Sequence, residues 1–408
     1  MNGEQLFQFH SVLGTRKATI PERVEVGMGE FEKCQMALIM LMNPKVNVRG
    51  ISPFDSLANA YVYLTGDEDM SGFFRPNRVS PGLRSTQDFN SNSFTFALMN
   101  AMNVYLSMTF KDFPYHEEIF ISKKIPVKDF RAITAVQLGS FGELPDVDPE
   151  AGDYQSLGPY TDTSAEYRLG QKGAIVWVTR KTVINDGVGV IQDTVKKMAR
   201  SARLAHAKYV WRFYIANALC PDGTAWFTGG HGNLGSSALD ITPLVTGITA
   251  LANMTEPAPS GEKIGLDLAT FNWNLVVPIA LWDLAVKKNL PEGAYFVAND
   301  LTTKVPNPCQ KLFGERSERI ITCPFLTDVN DWGIIRDKSD VPMVEMAYMN
   351  GREEPELLPE WIPPTSEVNT QAAPMFTFKD DKLGFKVRHE YGGTLAGYQG
   401  GYKSIVAP

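Results

Sequence analysis

The stretch from Val188 to Leu219 constrains this chain more than any other. Ile191, Val195, Met198, Ala202, Ala205, Tyr209 and Phe213 recur at three- and four-residue steps, which predicts a single apolar stripe along one helix. Lys196, Lys197, Arg200, Arg203, Lys208 and Arg212 fall on its other side. Asp186 is a plausible N-cap and Pro221 stands just past the end. At roughly 1.5 Å per residue such a helix runs about 45 Å. It is a spar along which other elements must be laid.

What flanks the spar is mixed. Residues 31–43, 52–67 and 93–110 read as helices, the second with Ser52 or Asp55 as cap candidates and the third apolar around most of its circumference. Residues 112–141 then turn to strand-like alternation. Residues 142–170 follow with three prolines and no apolar period, bearing the acids Glu143, Asp146, Asp148, Glu150, Asp153, Asp162 and Glu166. The apolar run within 172–186 returns as a strand, so the expected shape is a long two-stranded tongue with an acidic tip. Residues 241–360 alternate helix and strand as a compact α/β lobe, and Leu383, Phe385 and Val387 mark a late strand with one buried face.

The composition narrows the function. Apolar residues make up 44% of the 408 and charged residues 21%, ordinary for a folded chain. A net charge of −7 argues against binding nucleic acid through the overall field. The opening MNGEQLFQFHS lacks a basic, then apolar, secretory start, and no apolar run is long enough for a membrane span, so the expectation is a soluble protein made in a cytosol.

The candidate chemistry is thin. Cys34, Cys220, Cys309 and Cys323 have no CxxC spacing and read as free thiols, although Cys309 and Cys323 could pair in space. His10, His116, His206, His231 and His389 are scattered, and neither a metal site nor a cofactor is expected. "WFTGGHGNLG" (226–235) has the look of a phosphate cradle or catalytic turn. It satisfies neither GxxxxGK[ST] nor GxGxxG, and Ser236 and Ser237 stand in no GxSxG elbow. The glycines are therefore read as turn formers, with His231 and Asn233 hydrogen-bonding the loop to its neighbours. A hydrolase or lyase using His231 with Asp222 or Asp240 is the competing reading. The tongue acids Glu143, Asp146, Asp148, Glu150 and Asp153 lack EF-hand order. A solvated loop is the default reading for them, and a solvated face or a contact with packaged nucleic acid is open for the basic side of the spar; the further reading pairs them with Lys196, Lys197, Arg200 and Arg203 as charge-complementary surfaces that copies of the chain could present to one another.

Six phrases then carry a resemblance: "VKDFRAITAVQLGSFGELPDV", "YRLGQKGAIVWVTRKTVINDGVGVI", "AWFTGGHGNLGSSALD", "NWNLVVPIALWDLA", "MVEMAYMNGREEPEL" and "DKLGFKVRHEYGGTLAGYQGGYKS". In this order, over roughly residues 95–405, they resemble tailed-phage major capsid proteins of the Hong Kong 97 type, closest to the Mu-type major head subunit. The resemblance implies an α+β fold in four parts. Residues 1–110 would be an N-terminal helical region and arm. Residues 111–240 would be a peripheral domain with an extended loop at 130–180 and the spine helix at 187–219. Residues 241–350 would be an axial α/β domain, and 351–408 would return to the peripheral domain.

The implied function is structural rather than enzymatic. The chain would self-assemble into pentamers and hexamers of an icosahedral head, each tongue lying over a neighbour, and enclose double-stranded DNA contacted non-specifically. Portal and possible scaffold, protease or decoration proteins would be its partners, and the host cytoplasm its site of assembly. An encapsulin-like nanocompartment is the alternative on the same fold. The fold's founding member cross-links through a lysine on the extended loop, whereas residues 142–167 here contain none and Lys172 falls near the base. No isopeptide cross-linking is expected.

Overall fold

The computed structural model describes residues 29–72, 75, 78–79, 93–138, 162–185, 187–256, 261–264, 272–289, 295–297, 304–339, 341–360 and 380–407. Asp186 lies outside them, as do the tongue acids Glu143, Asp146, Asp148, Glu150 and Asp153. In chain order the elements are helices α1 (Glu30–Met42), α2 (Leu57–Thr65) and α3 (Ser93–Lys111), then strands β1 (Ile121–Val127), β2 (Ile133–Leu138), β3 (Asp162–Tyr167) and β4 (Gly170–Thr179). Next come α4 (Arg180–Ile184), α5 (Val188–Ile215), β5 (Leu234–Gly235), α6 (Ile241–Ala252), β6 (Asn274–Val277) and α7 (Trp282–Asn289). Strands β7 (Tyr295–Val297), β8 (Lys304–Pro306), β9 (Ile320–Thr322), β10 (Trp332–Ile335), β11 (Val344–Met349), β12 (Glu356–Pro359), β13 (Lys382–Leu395) and β14 (Gly401–Ser404) complete the series. The architecture is α+β.

The chain divides into two units, of which the first comprises Met1–Pro114, Gln171–Arg203 and Glu354–His389. Its sheet is β4, the first part of β13, and β12, which lies antiparallel to β13 from Glu356↔Arg388 to Pro359↔Phe385. Val178, Leu357, Leu383, Phe385 and Val387 from this sheet share one core with helices α1, α2, α3 and the first turns of α5. That explains the nearly all-round apolar α3, which buries Phe94, Leu98, Met102 and Leu106 completely. The cap of α2 is Ser56, whose Oγ accepts the Asn59 N–H at 2.9 Å, not Ser52 or Asp55 as the sequence reading had it. The helix begins later than its apolar pattern, at the residue after this capping serine.

The second unit comprises Tyr115–Gly170, Leu204–Glu353 and Glu390–Pro408. In it β1 runs parallel to β11, and β11 antiparallel to the last part of β13. A second sheet has the order β5-β14-β10-β6-β9. Helix α6 is seated on that sheet through Gly247, where an added Cβ would come within 2.8 Å of the Tyr402 ring. The last turns of α5 bring Val210, Trp211 and Tyr214 into an aromatic core with Phe120, Trp226 and Phe227.

Three pairings differ from the sequence reading. The strand that returns against β2 is β3, in register from Ile133↔Tyr167 to Leu138↔Asp162, whereas β4 pairs β13. Strand β11 leaves the lobe's sheet to join β1 and β13. The tail strand β14 enters the lobe's sheet beside β10. Each difference is a choice of distant partner, which local alternation does not encode.

Candidate assembly surfaces

Helix α5 is the scaffold for the basic surface. Ile191 and Val195 of the expected stripe are buried together with Ala199, and Phe213 is buried near the other end, where Ala207, Val210, Trp211 and Tyr214 widen the buried side beyond that stripe. A four-residue spacing drifts around a 3.6-residue helix, so the contact face follows whatever packs alongside. On the opposite side Lys196, Lys197 and Arg200 are exposed, and among the described residues none of them meets an acid. Arg203 is placed differently. Its Nε donates to the Phe113 carbonyl at 3.3 Å and its guanidinium lies 5.2 Å from the Phe110 ring centre, so it is built into the first unit.

A second surface sits on β4. Val178 points into the core, while Ile175 and Trp177 on the alternate face are 60% and 48% exposed. Trp177 reaches over Gly384 of β13, where a Cβ would come within 2.9 Å of its ring. In the second unit Ile279 and Trp282 are also solvent-facing, at the turn that opens α7. Sequence reasoning missed all four, because an apolar residue in a strand or helix is read as core.

The glycine-rich loop is a tied bend. Asn233 is fully buried, its Oδ1 accepts the Thr228 N–H at 3.0 Å, and its Nδ2 donates to the Trp226 carbonyl at 2.8 Å. Gly232 turns the chain at φ 69, which favours glycine. The His231 ring stacks on Tyr398 at 3.8 Å, its Nδ1 facing the Trp226 carbonyl at 3.1 Å. Its Nε2 lies 2.7 Å from Asp222 Oδ2 and 2.8 Å from Thr224 Oγ1, and that hydroxyl itself donates to Asp222. A nucleophile relay needs the acid on one ring nitrogen and the hydroxyl on the other. Here both crowd one nitrogen. Burial pushes the Asp222 carboxyl up, but the Thr224 N–H and hydroxyl and His231 outweigh it and hold the group below the usual range. Asp240, the other proposed partner, instead caps α6 and pairs with Lys288 at 2.7 Å.

A polar cluster that sequence reasoning missed lies in the second unit. His206 Nδ1 faces Glu117 Oε1 at 3.1 Å and its Nε2 faces the Tyr348 hydroxyl at 3.0 Å, all three groups buried. It is one packed contact among α5, the turn before β1, and β11. Among the described residues no three His, Cys, Asp or Glu are placed to hold a metal ion, and no helix is long and apolar enough to cross a membrane. The four cysteines are free and buried.

Residues 162–404, more than half of the chain, match the model of a family described as phage capsid protein. No curated protein matches the chain in sequence. Among solved structures, a phage-related protein from Bordetella bronchiseptica is 14% identical with a TM-score of 0.41, over 74% of this chain and 95% of that one. A chain of Mycobacterium phage Che8 is 13% identical with a TM-score of 0.37, over 68% and 85%. A virus-like particle from Pyrococcus furiosus is 8% identical with a TM-score of 0.38, over 75% and 98%.

Proposed function

The chain belongs to the phage capsid protein family, and from that premise we propose how its surfaces build a shell. It is a major capsid protein, a structural component of the phage head. In our reading it adopts the Hong Kong 97-type arrangement, closest to the Mu type. Residues 130–180 are the extended loop, 187–219 the spine helix, 241–350 the axial domain, and 1–110 and 351–408 the remaining arm and peripheral parts. Identical copies close into pentamers and hexamers around double-stranded DNA, with portal and possible scaffold, protease or decoration proteins as partners, in the host cytoplasm. The role is structural, with no catalysis. The family described as phage capsid protein favours a virus over an encapsulin-like compartment.

The observation that carries the assembly mechanism is the basic turn Lys196, Lys197 and Arg200, which meets no acid among the described residues, in a chain whose acids Glu143, Asp146, Asp148, Glu150 and Asp153 follow closely in sequence. Opposite charges on two copies attract, each pair contributing little and many together a good deal. Exposed Ile175 and Trp177 on β4 supply apolar area as well, which a lone subunit has no use for. Arg203 serves the subunit's own packing. Negative-stain microscopy of the protein expressed alone tests the reading, with the ultraviolet absorbance ratio of any particles reporting nucleic acid against protein. Closed shells, tubes or capsomer rings are expected; a small monodisperse species at every salt and protein concentration, with scaffold supplied, would overturn it.

A further inference from the structure

Strand β12 is an edge of the first unit's sheet: β13 lies on one side of it, and among the described residues no strand pairs with the other. An edge of this kind presents a row of backbone donors and acceptors on which a strand of another chain can lay itself down. In an antiparallel pair the residues alternate, one turning its N–H and C=O to the partner strand and the next turning them away. The Glu360 N–H donates to the Gly384 carbonyl at 2.7 Å, so Glu356, Leu358 and Glu360 turn their backbone groups to β13, and Leu357 and Pro359 turn theirs outward.

That outward row is closed. Pro359 has no N–H, and neither has Pro355 just before the strand. The donor that remains, the Leu357 N–H, donates to Asn103 Oδ1 at 2.7 Å, while Asn103 Nδ2 donates to the Leu357 carbonyl at 2.9 Å. A side-chain amide of α3 takes both bonds that an incoming strand would make there. Four-residue steps along the same face of α3 lead to Ser107 and Lys111, and both hold Glu354 at the approach to β12. The Ser107 hydroxyl donates to the Glu354 carboxylate, and Lys111 Nζ lies 2.7 Å from its Oε1. In a helix otherwise apolar around most of its circumference, these three polar positions are spent on one sheet edge.

We propose that Asn103 is a specificity residue of self-association: it plugs the β12 edge, and so keeps copies of the chain from joining by strand addition and leaves them to meet through their side-chain surfaces. The inference goes beyond the shell reading and does not depend on it, because a bare sheet edge endangers a chain of any function.

Amide hydrogen exchange and infrared spectroscopy on the full chain test this with two variants. Asn103→Ala removes both bonds and unfastens α3 from the edge. The Leu357 N–H should then exchange about tenfold faster, the ratio expected for one neutral hydrogen bond, and copies should collect into aggregates with the infrared signature of intermolecular strands. Asn103→Asp keeps an acceptor on the Leu357 N–H, but loses the donor to its carbonyl and sets a carboxylate oxygen against it. This variant is destabilised too. With the donor still covered, it should keep Leu357 protected and aggregate no faster than wild type at temperatures where it stays folded. Equal aggregation of the two variants would make Asn103 an ordinary support of the fold and overturns the proposal. Unchanged exchange at Leu357 in Asn103→Ala overturns it as well, and so does fast exchange there with no gain in aggregation.

Discussion

Replacing Asn233 by alanine should damage the second unit more than replacing His231, although the histidine is the residue that catches the eye in "WFTGGHGNLG". The Asn233 side chain is fully buried and makes two short contacts with backbone groups, accepting from Thr228 and donating to Trp226. Truncation loses the bond to the Trp226 carbonyl, at about 1 kcal/mol, and strands the Thr228 N–H, for roughly 1–3 kcal/mol more. The Trp226 carbonyl keeps its contact with His231, so the total falls near 2–4 kcal/mol. For a cooperative unit of this size that lowers the melting temperature by roughly 5–10 °C. Asn233→Asp should be no better, because a carboxylate oxygen would then face the Trp226 carbonyl. In His231→Ala, Asp222 and Thr224 are exposed enough to rehydrate, and about 1 kcal/mol is expected. Urea unfolding of the three variants gives the order directly. A loss under about 1 kcal/mol for Asn233→Ala, or a larger loss for His231→Ala, refutes the account of the bend.

The depressed Asp222 carboxyl contributes stability that is present above the unfolded value of about 3.9 and is lost as pH falls through the lower folded value. Asp222→Asn should therefore flatten the acid side of the unfolding-midpoint profile, and an unchanged profile counts against the contact. Reversing Lys197 and Arg200 to Glu should impair assembly most at low salt, where screening is weakest, with the subunit's melting unaffected. Arg203→Glu should lower melting instead, because it strips a cation from the Phe110 ring and the Phe113 carbonyl; equal assembly of the Lys197 and Arg200 variant at all salts sinks the charge pairing. Ile175→Ser with Trp177→Ser should leave folding within about 0.5 kcal/mol while reducing particle yield in microscopy. Burial pushes the Cys34, Cys309 and Cys323 thiols up to about 11 and Cys220 up to about 12, so a thiol reagent should label none of them quickly until denaturant is added.

The spar was legible because twenty-eight residues of repeating pattern leave few alternatives, and α5 spans Val188–Ile215 as its composition demands. The details of its faces were not. Arg203 stands three residues after Arg200 and belongs to the same charge pattern, yet its surroundings are set by Phe110 and Phe113 from the end of α3. Strand β3 was hidden for a related reason. Thr163, Ala165 and Tyr167 do alternate inward, but only Tyr167 is large and apolar, so the segment reads as loop until β2 is seen beside it. His206 and Glu117 are separated by 89 positions, and nothing local distinguishes that histidine from a solvated one.

The glycine-rich loop shows where such reading must stop. Its sequence offers a histidine, an aspartate nine positions earlier and a threonine between them, the ingredients of a hydrolytic site and equally of a tied bend. The choice turns on which ring nitrogen meets which group, and a sequence contains no record of that. With Nδ1 on the Trp226 carbonyl, and Nε2 shared by Asp222 and Thr224, the acid and the hydroxyl meet the same ring nitrogen instead of opposite ones, which is not the arrangement of a nucleophile relay. The same contacts brace the turn that carries the chain from the end of α5 to β5, where the Asn233 backbone carbonyl also takes the Lys403 N–H of β14. These contacts make the loop a joint by which the end of the spar is fastened to the lobe's sheet within one unit.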